Sequence, residues 1–416
     1  MRSRFLNIIL AFSLILAVYM PTSVAGESIS ARYLVILSAL SFAALLMQRE
    51  LRPSFIYFPI FGLIPALIAF FSFFSGFNHF NFKILYGYSL LALLFLVRLQ
   101  PVHMERWQVS LFAALNTANI IFGIGIVIGN NAIEKFIDSY YSCSDSEWLF
   151  SQMIALHKPI GTFCIHSTAG FMMYLFFYAS LKTFELKNRQ LFLWFSIFYV
   201  ILIAALTSVT GLTLAMLGAA HIAYVLWKTQ RPVFALALVA VVIAIPPSLG
   251  ASWSDIKDAA GLVASSSENG LAGRFNSNGT MYNSMQYVIH HPLRPIGASD
   301  REELFTGDSG LVEFALRGSV LMLVFVHVAY FLFLRQNLVD KQDAWLLFVL
   351  TIAFEMGAAV LLYIRFIWLL PFFCFYLNSL QRPWQNEAPS MKRVNPGPYG
   401  GISKSLDFRP LRRPTA

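Results

Sequence analysis

The sequence predicts an all-α polytopic membrane protein with about twelve transmembrane helices and one large outward loop. Of 416 residues, 57% are hydrophobic and only 12% are charged, whereas a soluble domain averages about 25% charged residues. Apolar runs recur along the whole chain, and a run of roughly 17–25 residues can cross a bilayer core as a helix. The runs are uniformly apolar, unlike barrel strands, which alternate with period two. In lipid every backbone polar group must be paired within its own segment, so the runs are helices.

The length criterion places spans at 5–20, 33–47, 55–77, 83–97, 108–129, 161–181, 190–206, 210–227, 232–249, 309–334, 344–358 and 361–380. The last two are nearly continuous, and Gly357 offers the break that makes them a hairpin rather than one long tilted helix. Residues 1–25 also have the make-up of a signal peptide, with Arg2, Arg4, an apolar core and Ser23-Val24-Ala25. They are read as an uncleaved first span. The run Phe70-Phe71-Ser72-Phe73-Phe74 reads as lipid-facing packing, and 132–141 as a short amphipathic helix on the surface.

Orientation follows from the basic residues. With the N-terminus inside, 20 of the 30 Lys and Arg residues fall in inner segments and 10 on the opposite side. Loops 130–160 and 250–308 therefore face outward. The second far exceeds an ordinary connection, and its glycines, prolines and aromatics point to function. Residues 1–380 form one membrane domain. The tail, 381–416, is basic and proline-bearing, cannot bury a core and is expected to be disordered along anionic inner-leaflet lipids. No internal repeat is visible, and the unequal loops count against the inverted-repeat plan of many transporters. Cys143, Cys164 and Cys374 make no disulfide framework. The inside bias accounts for a pI near 9.4, and no nucleic-acid motif is present.

Candidate chemistry gathers in the outward loops. Arg274, between Gly273 and Phe275, offers a planar fork that fits phosphate oxygens. It also reads as a surface arginine paired with Glu268. Arg294 sits in His291-Pro292-Leu293-Arg294-Pro295-Ile296-Gly297, where two prolines and a glycine imply a fixed turn. Arg301 lies in a charge run that reads as a solvated face. Arg317 enters the span 309–334 with Glu313 at i−4, either as a structural ion pair or at the mouth of a site.

His290, His291 and Asp308 are candidate bases. Asp308 reads equally well as the N-cap of the following span. Asp145-Ser146-Glu147 is a weak candidate for a divalent cation with phosphates. His166, His221 and Glu355 are ionisable groups within spans. Interhelical hydrogen bonds are expected for the histidines, and a Glu355–Arg365 pair across the last hairpin. Diphosphate leaves without needing a proton, so fixed positive charge suits its departure. These parts fit glycosyl transfer from a lipid-linked diphosphate. Loop 250–308 holds more acidic than basic residues, so any anion site there is local.

Three segments resemble the O-antigen polymerase and O-antigen ligase superfamily. They are Lys158-Pro159-Ile160-Gly161-Thr162-Phe163 to Ala169-Gly170, then Leu206-Thr207-Ser208-Val209-Thr210-Gly211, then Gly273-Arg274 with 291–297 and Asp308-Ser309-Gly310-Leu311 to Gly318. The resemblance spans roughly 155–330. It implies a bacterial inner-membrane enzyme, multi-pass, with its site facing the periplasm and loops 130–160 and 250–308 periplasmic. It implies inverting, metal-independent transfer from undecaprenyl-diphosphate glycan without a cofactor. Arg274 then engages the donor diphosphate, and Asp308 stands where the ligases place a base histidine. Arg294, Arg317 or Lys158 supplies a second cationic contact, with His291 beside it. The missing arginine near Val209 points away from the lipid A-core ligases toward a polysaccharide polymerase. A ligase acting on a lipid or protein acceptor is the near alternative, and a precursor flippase or transporter is the alternative of another class. Expected partners are the lipid-linked glycan and membrane lipids, with a chain-length regulator and a flippase as candidate protein partners.

Overall fold

The computed structural model describes residues 2–21, 23–24, 27–28, 52–75, 79–98, 106–142, 147–163, 166–228, 281–299 and 309–381, with a few isolated positions between them. The expected spans 33–47 and 232–249, the tail and most of loop 250–308 lie outside these residues. Among the described residues, apart from a two-residue antiparallel pairing of Ser23–Val24 with Glu27–Ser28, the regular structure is helical.

The helices are α1 (Arg2–Tyr19), α2 (Arg52–Phe74), α3 (Phe82–Phe95), α4 (Arg106–Val127), α5 (Asn131–Tyr141), α6 (Glu147–Ala155), α7 (His166–Lys187), α8 (Gln190–Ala205), α9 (Val209–Lys228), α10 (Tyr282–His290), α11 (Gly310–Asn337), α12 (Lys341–Glu355) and α13 (Ile364–Leu380). Among the described residues, four segments are long and apolar enough to cross a membrane: Tyr57–Phe74, Trp107–Val127, Thr210–Lys228 and Gly310–Asn337. Shorter apolar helices cover Phe82–Phe95, Gln190–Ala205 and Arg365–Leu380. Together they point to a membrane protein. The surface agrees: Phe58, Phe73, Trp194 and Trp227 lie exposed on helices, while Glu313, Arg317, Asp343, Glu355 and Arg365 are buried. That inverts the usual arrangement of a soluble protein.

Polar caps start the helices where chain direction reverses. Asn81 accepts from the Lys83 N–H, Asn130 from Ala132 and Ile133, and Asp340 from Gln342. α5 occupies the stretch expected to be amphipathic and buries Ile137 and Tyr141. α7 is enclosed, with Ala169 to Leu181 buried throughout against α8, α9 and α13. α1 packs along α13, and α2 along α3 and α11. The 344–380 region is two helices, parted by a turn after Glu355 and a short 3-10 segment at Val360–Leu362.

Several long-range polar contacts gather near helix ends, while others, such as Tyr330 with Thr351 at 2.8 Å, join helix middles. At one end Asn337 donates to the Val97 carbonyl at 3.1 Å, Asn378 bonds the Asn337 carbonyl and the Val339 N–H, and Lys182 pairs with buried Asp343 at 3.0 Å. At the other end lie the α1 terminus, the 294–299 segment, Ser309 and Glu355.

The C-terminal end of α1 shows why Arg365 is buried. A helix end leaves carbonyls without partners, which is costly away from water. Arg365 donates to the Ala17 and Val18 carbonyls at 3.2 and 2.8 Å and to Met20 at 2.6 Å. Thr162 donates to Val18 at 2.6 Å, and the Tyr141 hydroxyl to Tyr19 at 2.7 Å. The guanidinium also lies 5.5 Å from the centroid of the Tyr141 ring. Burial pushes the Tyr141 phenol up, and Arg365 pulls against it. The expected Glu355–Arg365 pair is therefore not formed: three carbonyls at the end of α1, those of Ala17, Val18 and Met20, draw the arginine, whose positive charge also suits the negative end of the helix dipole.

Candidate functional site

Segment 291–299 of the large loop is tied to the bundle, as is α10 before it, and α11 is broken to receive it. Gly318 (φ −136, ψ 18) and Ser319 (φ 67, ψ −179) are non-helical, so α11 is two helical stretches in series. The break releases two carbonyls from the helix ladder. Leu316 and Arg317 accept instead from the N–H groups of Ile296 and Gly297, at 2.9 and 3.0 Å. Ser319 starts the second stretch, its hydroxyl accepting from the Leu321 N–H at 3.2 Å. Its backbone lies in a region that only glycine adopts readily, a local cost of about 1–3 kcal/mol.

The same loop is pinned to the end of α2. The Ser72 hydroxyl accepts from the Ala298 N–H at 2.7 Å, Ser75 and Ser299 hydroxyls meet at 2.8 Å, and the Asn81 N–H donates to the Ala298 carbonyl at 2.8 Å. Gly297 has φ +63, and a Cβ there would overlap the Ser72 backbone. Only glycine meets both the conformation and the space.

Arg317 closes the assembly. Its Nε pairs with Glu313 at 3.0 Å, and its Nη1 donates to the Gly297 and Ser299 carbonyls at 3.3 and 2.5 Å. It is 3% exposed. Of its two readings, the structural ion pair is formed, and its guanidinium holds the loop.

Arg294 stands on the other side of this fixed loop. The turn is set by the Tyr287 hydroxyl, which donates to the Arg294 carbonyl at 2.9 Å, and by Arg294 N–H to the His291 carbonyl at 3.0 Å. Pro295 and the residues up to Ser299 are buried, while His291 to Arg294 are exposed. The Arg294 side chain has no hydrogen-bond or ionic partner among the described residues. It lines a cavity of about 640 Å³ with His291, Tyr287 and the aromatic end of α2: Phe70, Phe71, Phe74 and Ser75. Phe70 and Phe74 meet edge-on at 4.7 Å, and the His291 ring lies 5.1 Å from Tyr287.

The cavity thus joins an apolar aromatic wall to a cation and an imidazole. The run 70–74 does more than face lipid: Ser72 and Ser75 anchor the loop while Phe70, Phe71 and Phe74 line the cavity. Ser72 and Ser75, one turn apart in a phenylalanine-rich stretch, were the available sequence signal.

The remaining candidates are dispersed. Lys158 follows α6 in a tight turn, half-buried, four residues before the Thr162 that caps α1; it does not line the cavity. His290 ends α10 and is exposed. His221 contacts the rings of Phe177 and Tyr178, at 6.3 and 5.8 Å. Arg274, Arg301, Asp308 and Asp145 lie outside the described residues, as does the Glu147 side chain. Comparison of the chain with protein-family models, curated proteins and solved structures finds no match.

Proposed function

We propose that this chain is a membrane glycosyltransferase that polymerises oligosaccharide repeat units carried on a polyprenyl diphosphate. In this reading about twelve helices cross the inner membrane and loop 250–308 lies in the periplasm. The observation that carries it is the cavity: an exposed, unpartnered arginine on a rigid turn, set against three phenylalanines at a helix end. A polyprenyl diphosphate has the matching halves, an apolar chain and a compact anion.

Arg294 engages the diphosphate through two donors, the phenylalanines receive the first isoprene units, and His291 lies beside the anion. Arg274, Asp308, Lys158 and Arg317 stay in this proposal as sequence candidates: Arg274 for the donor diphosphate, Asp308 as base, Lys158 for a further cationic contact. Arg317 positions the loop. In the transfer, the bond from the anomeric carbon to the diphosphate oxygen breaks, and the acceptor hydroxyl oxygen bonds to that carbon from the opposite face. The hydroxyl proton passes to the base, and polyprenyl diphosphate leaves with both bonding electrons. Fixed cationic charge at the leaving group lowers the barrier without protonating it.

The test is the purified chain in nanodiscs with a polyprenyl-diphosphate oligosaccharide. The reading expects a ladder of polymer that Arg294→Ala reduces at least tenfold with folding unchanged. An intact ladder in that variant, or no ladder from the wild-type chain, would overturn it. Transfer of finished glycan to a separate lipid or protein acceptor instead marks the ligase alternative. The buried carboxylates of α11 and α12 favour a second reading, movement of the same carrier across the bilayer. Carrier translocation in sealed vesicles without polymer would select it.

A further inference from the structure

We propose that Tyr88, Glu313 and Glu355 form a buried site for one monovalent positive charge, Na+ or a proton, between α3, α11 and α12. Three oxygens carry the inference. Glu355 is fully buried; its Oε1 accepts from the Leu361 N–H at 2.5 Å, and its Oε2 has no partner. Glu313 is 6% exposed; its Oε1 accepts from Arg317, and its Oε2 has none. The Tyr88 hydroxyl, on a residue 1% exposed, is likewise unpartnered. Tyr88 lies within electrostatic reach of Glu313, Arg317 and Glu355, and the two carboxylates lie within reach of each other.

The charge count explains what such a cluster needs. Glu313 pairs with the Arg317 guanidinium and Glu355 lies within reach of Glu313, which leaves one negative charge in excess in a buried region. An uncompensated buried charge costs several kcal/mol, and buried oxygens without donors add to it. A bound cation or a proton removes the excess and gives the free oxygens a partner. Oxygen donors suit a hard ion. No other described group packed around the cluster fills this role. Tyr330 is paired with Thr351 at 2.8 Å, His327 bonds the Leu323 carbonyl and meets Phe314 edge-on, and Arg365 is committed to α1. Gly310 lets the Glu355 carboxylate lie against the start of α11, where a Cβ would overlap it, and Ser309 donates to the Glu355 carbonyl at 3.0 Å. The site thus sits where α11 begins. The inference stands apart from the transfer reading.

The experiment uses the full chain in nanodiscs, with radiolabelled Na+ binding and infrared spectra in H2O and D2O. Saturable binding of one Na+ per chain, with an unfolding midpoint that rises with the logarithm of Na+ concentration when choline is replaced, identifies the metal ion. A deuterium-sensitive carboxylic acid band at neutral pH without Na+ binding identifies the proton. Glu355→Gln is expected to abolish whichever signal is present. Tyr88→Phe, which keeps the ring, is expected to weaken Na+ binding about tenfold, a change of about 1.4 kcal/mol, or to shift the band. Should Glu355→Gln fail to fold, Tyr88→Phe decides alone: an unchanged affinity and band overturn the site. Absence of both signals in the wild-type chain also overturns it.

Discussion

Arg365 and Arg294 are both arginines near helix ends, yet one is enclosed and the other stands open. Arg365 is 2% exposed and donates to three carbonyls at the end of α1. Arg294 is exposed and has only its backbone engaged. Arg317 resembles Arg365: its donors are taken by Glu313 and two loop carbonyls. An arginine whose fork is filled by its own protein closes the fold. One whose backbone alone is held, on a turn fixed from both sides, keeps its fork open. Burial therefore separates these two arginines, although their residue type is the same.

Substitutions can break that contrast. The largest expected effect is Arg365→Met. It orphans carbonyls of α1 at about 1–3 kcal/mol each, so the unfolding midpoint should fall sharply and the detergent-solubilised protein should aggregate on size-exclusion chromatography. Arg365→Lys should fall between, because a point charge cannot span three carbonyls. A midpoint in Arg365→Met equal to the wild type would show that the α1 contacts do not hold the fold.

Gly297→Ala comes next. Positive φ costs about 1–3 kcal/mol, and the new Cβ meets the Ser72 backbone. Thermal unfolding should report the loss, and on the proposed function polymer synthesis should fall with it because the Arg294 turn is displaced.

Arg294→Ala should leave stability within about 0.5 kcal/mol and lower transfer at least tenfold. Arg294→Lys should rescue only part of that. Equal losses of folding and activity would place Arg294 with Arg365, as a structural residue. The smallest effect belongs to Ser319. Ser319→Gly should change the unfolding free energy by under about 1 kcal/mol, since relieved backbone strain offsets the lost Leu321 cap. Ser319→Val should be clearly worse, because a branched side chain tolerates that backbone poorly.

Much of the helical pattern was legible because it depends on local composition. The amphipathic stretch near 132–141 and the break after Glu355 follow from runs and a glycine, whereas the cap of α11 is Ser309, accepting from the Val312 N–H, one residue after the Asp308 expected there. The motif 291–297 was legible as a rigid turn for the same reason. What held that turn was not. Its partners are Ser72, Ser75 and the carbonyls freed at Gly318, and nothing in the order of residues links 72 to 298. The same distance hid the fate of Arg365. Read along the chain, Glu355 ten residues away was its obvious mate, but folding brought residues 17–20 closer.

Composition and periodicity determined that this chain is helical and apolar outside, because the length and polarity of each run decide whether its backbone can be satisfied alone. They also placed arginines and histidines in the long segment 250–308. Tertiary structure decided which charges are consumed internally and which remain available. Hydrogen-bond partners are chosen by proximity in space, and four of the contacts that matter most join residues more than 140 positions apart.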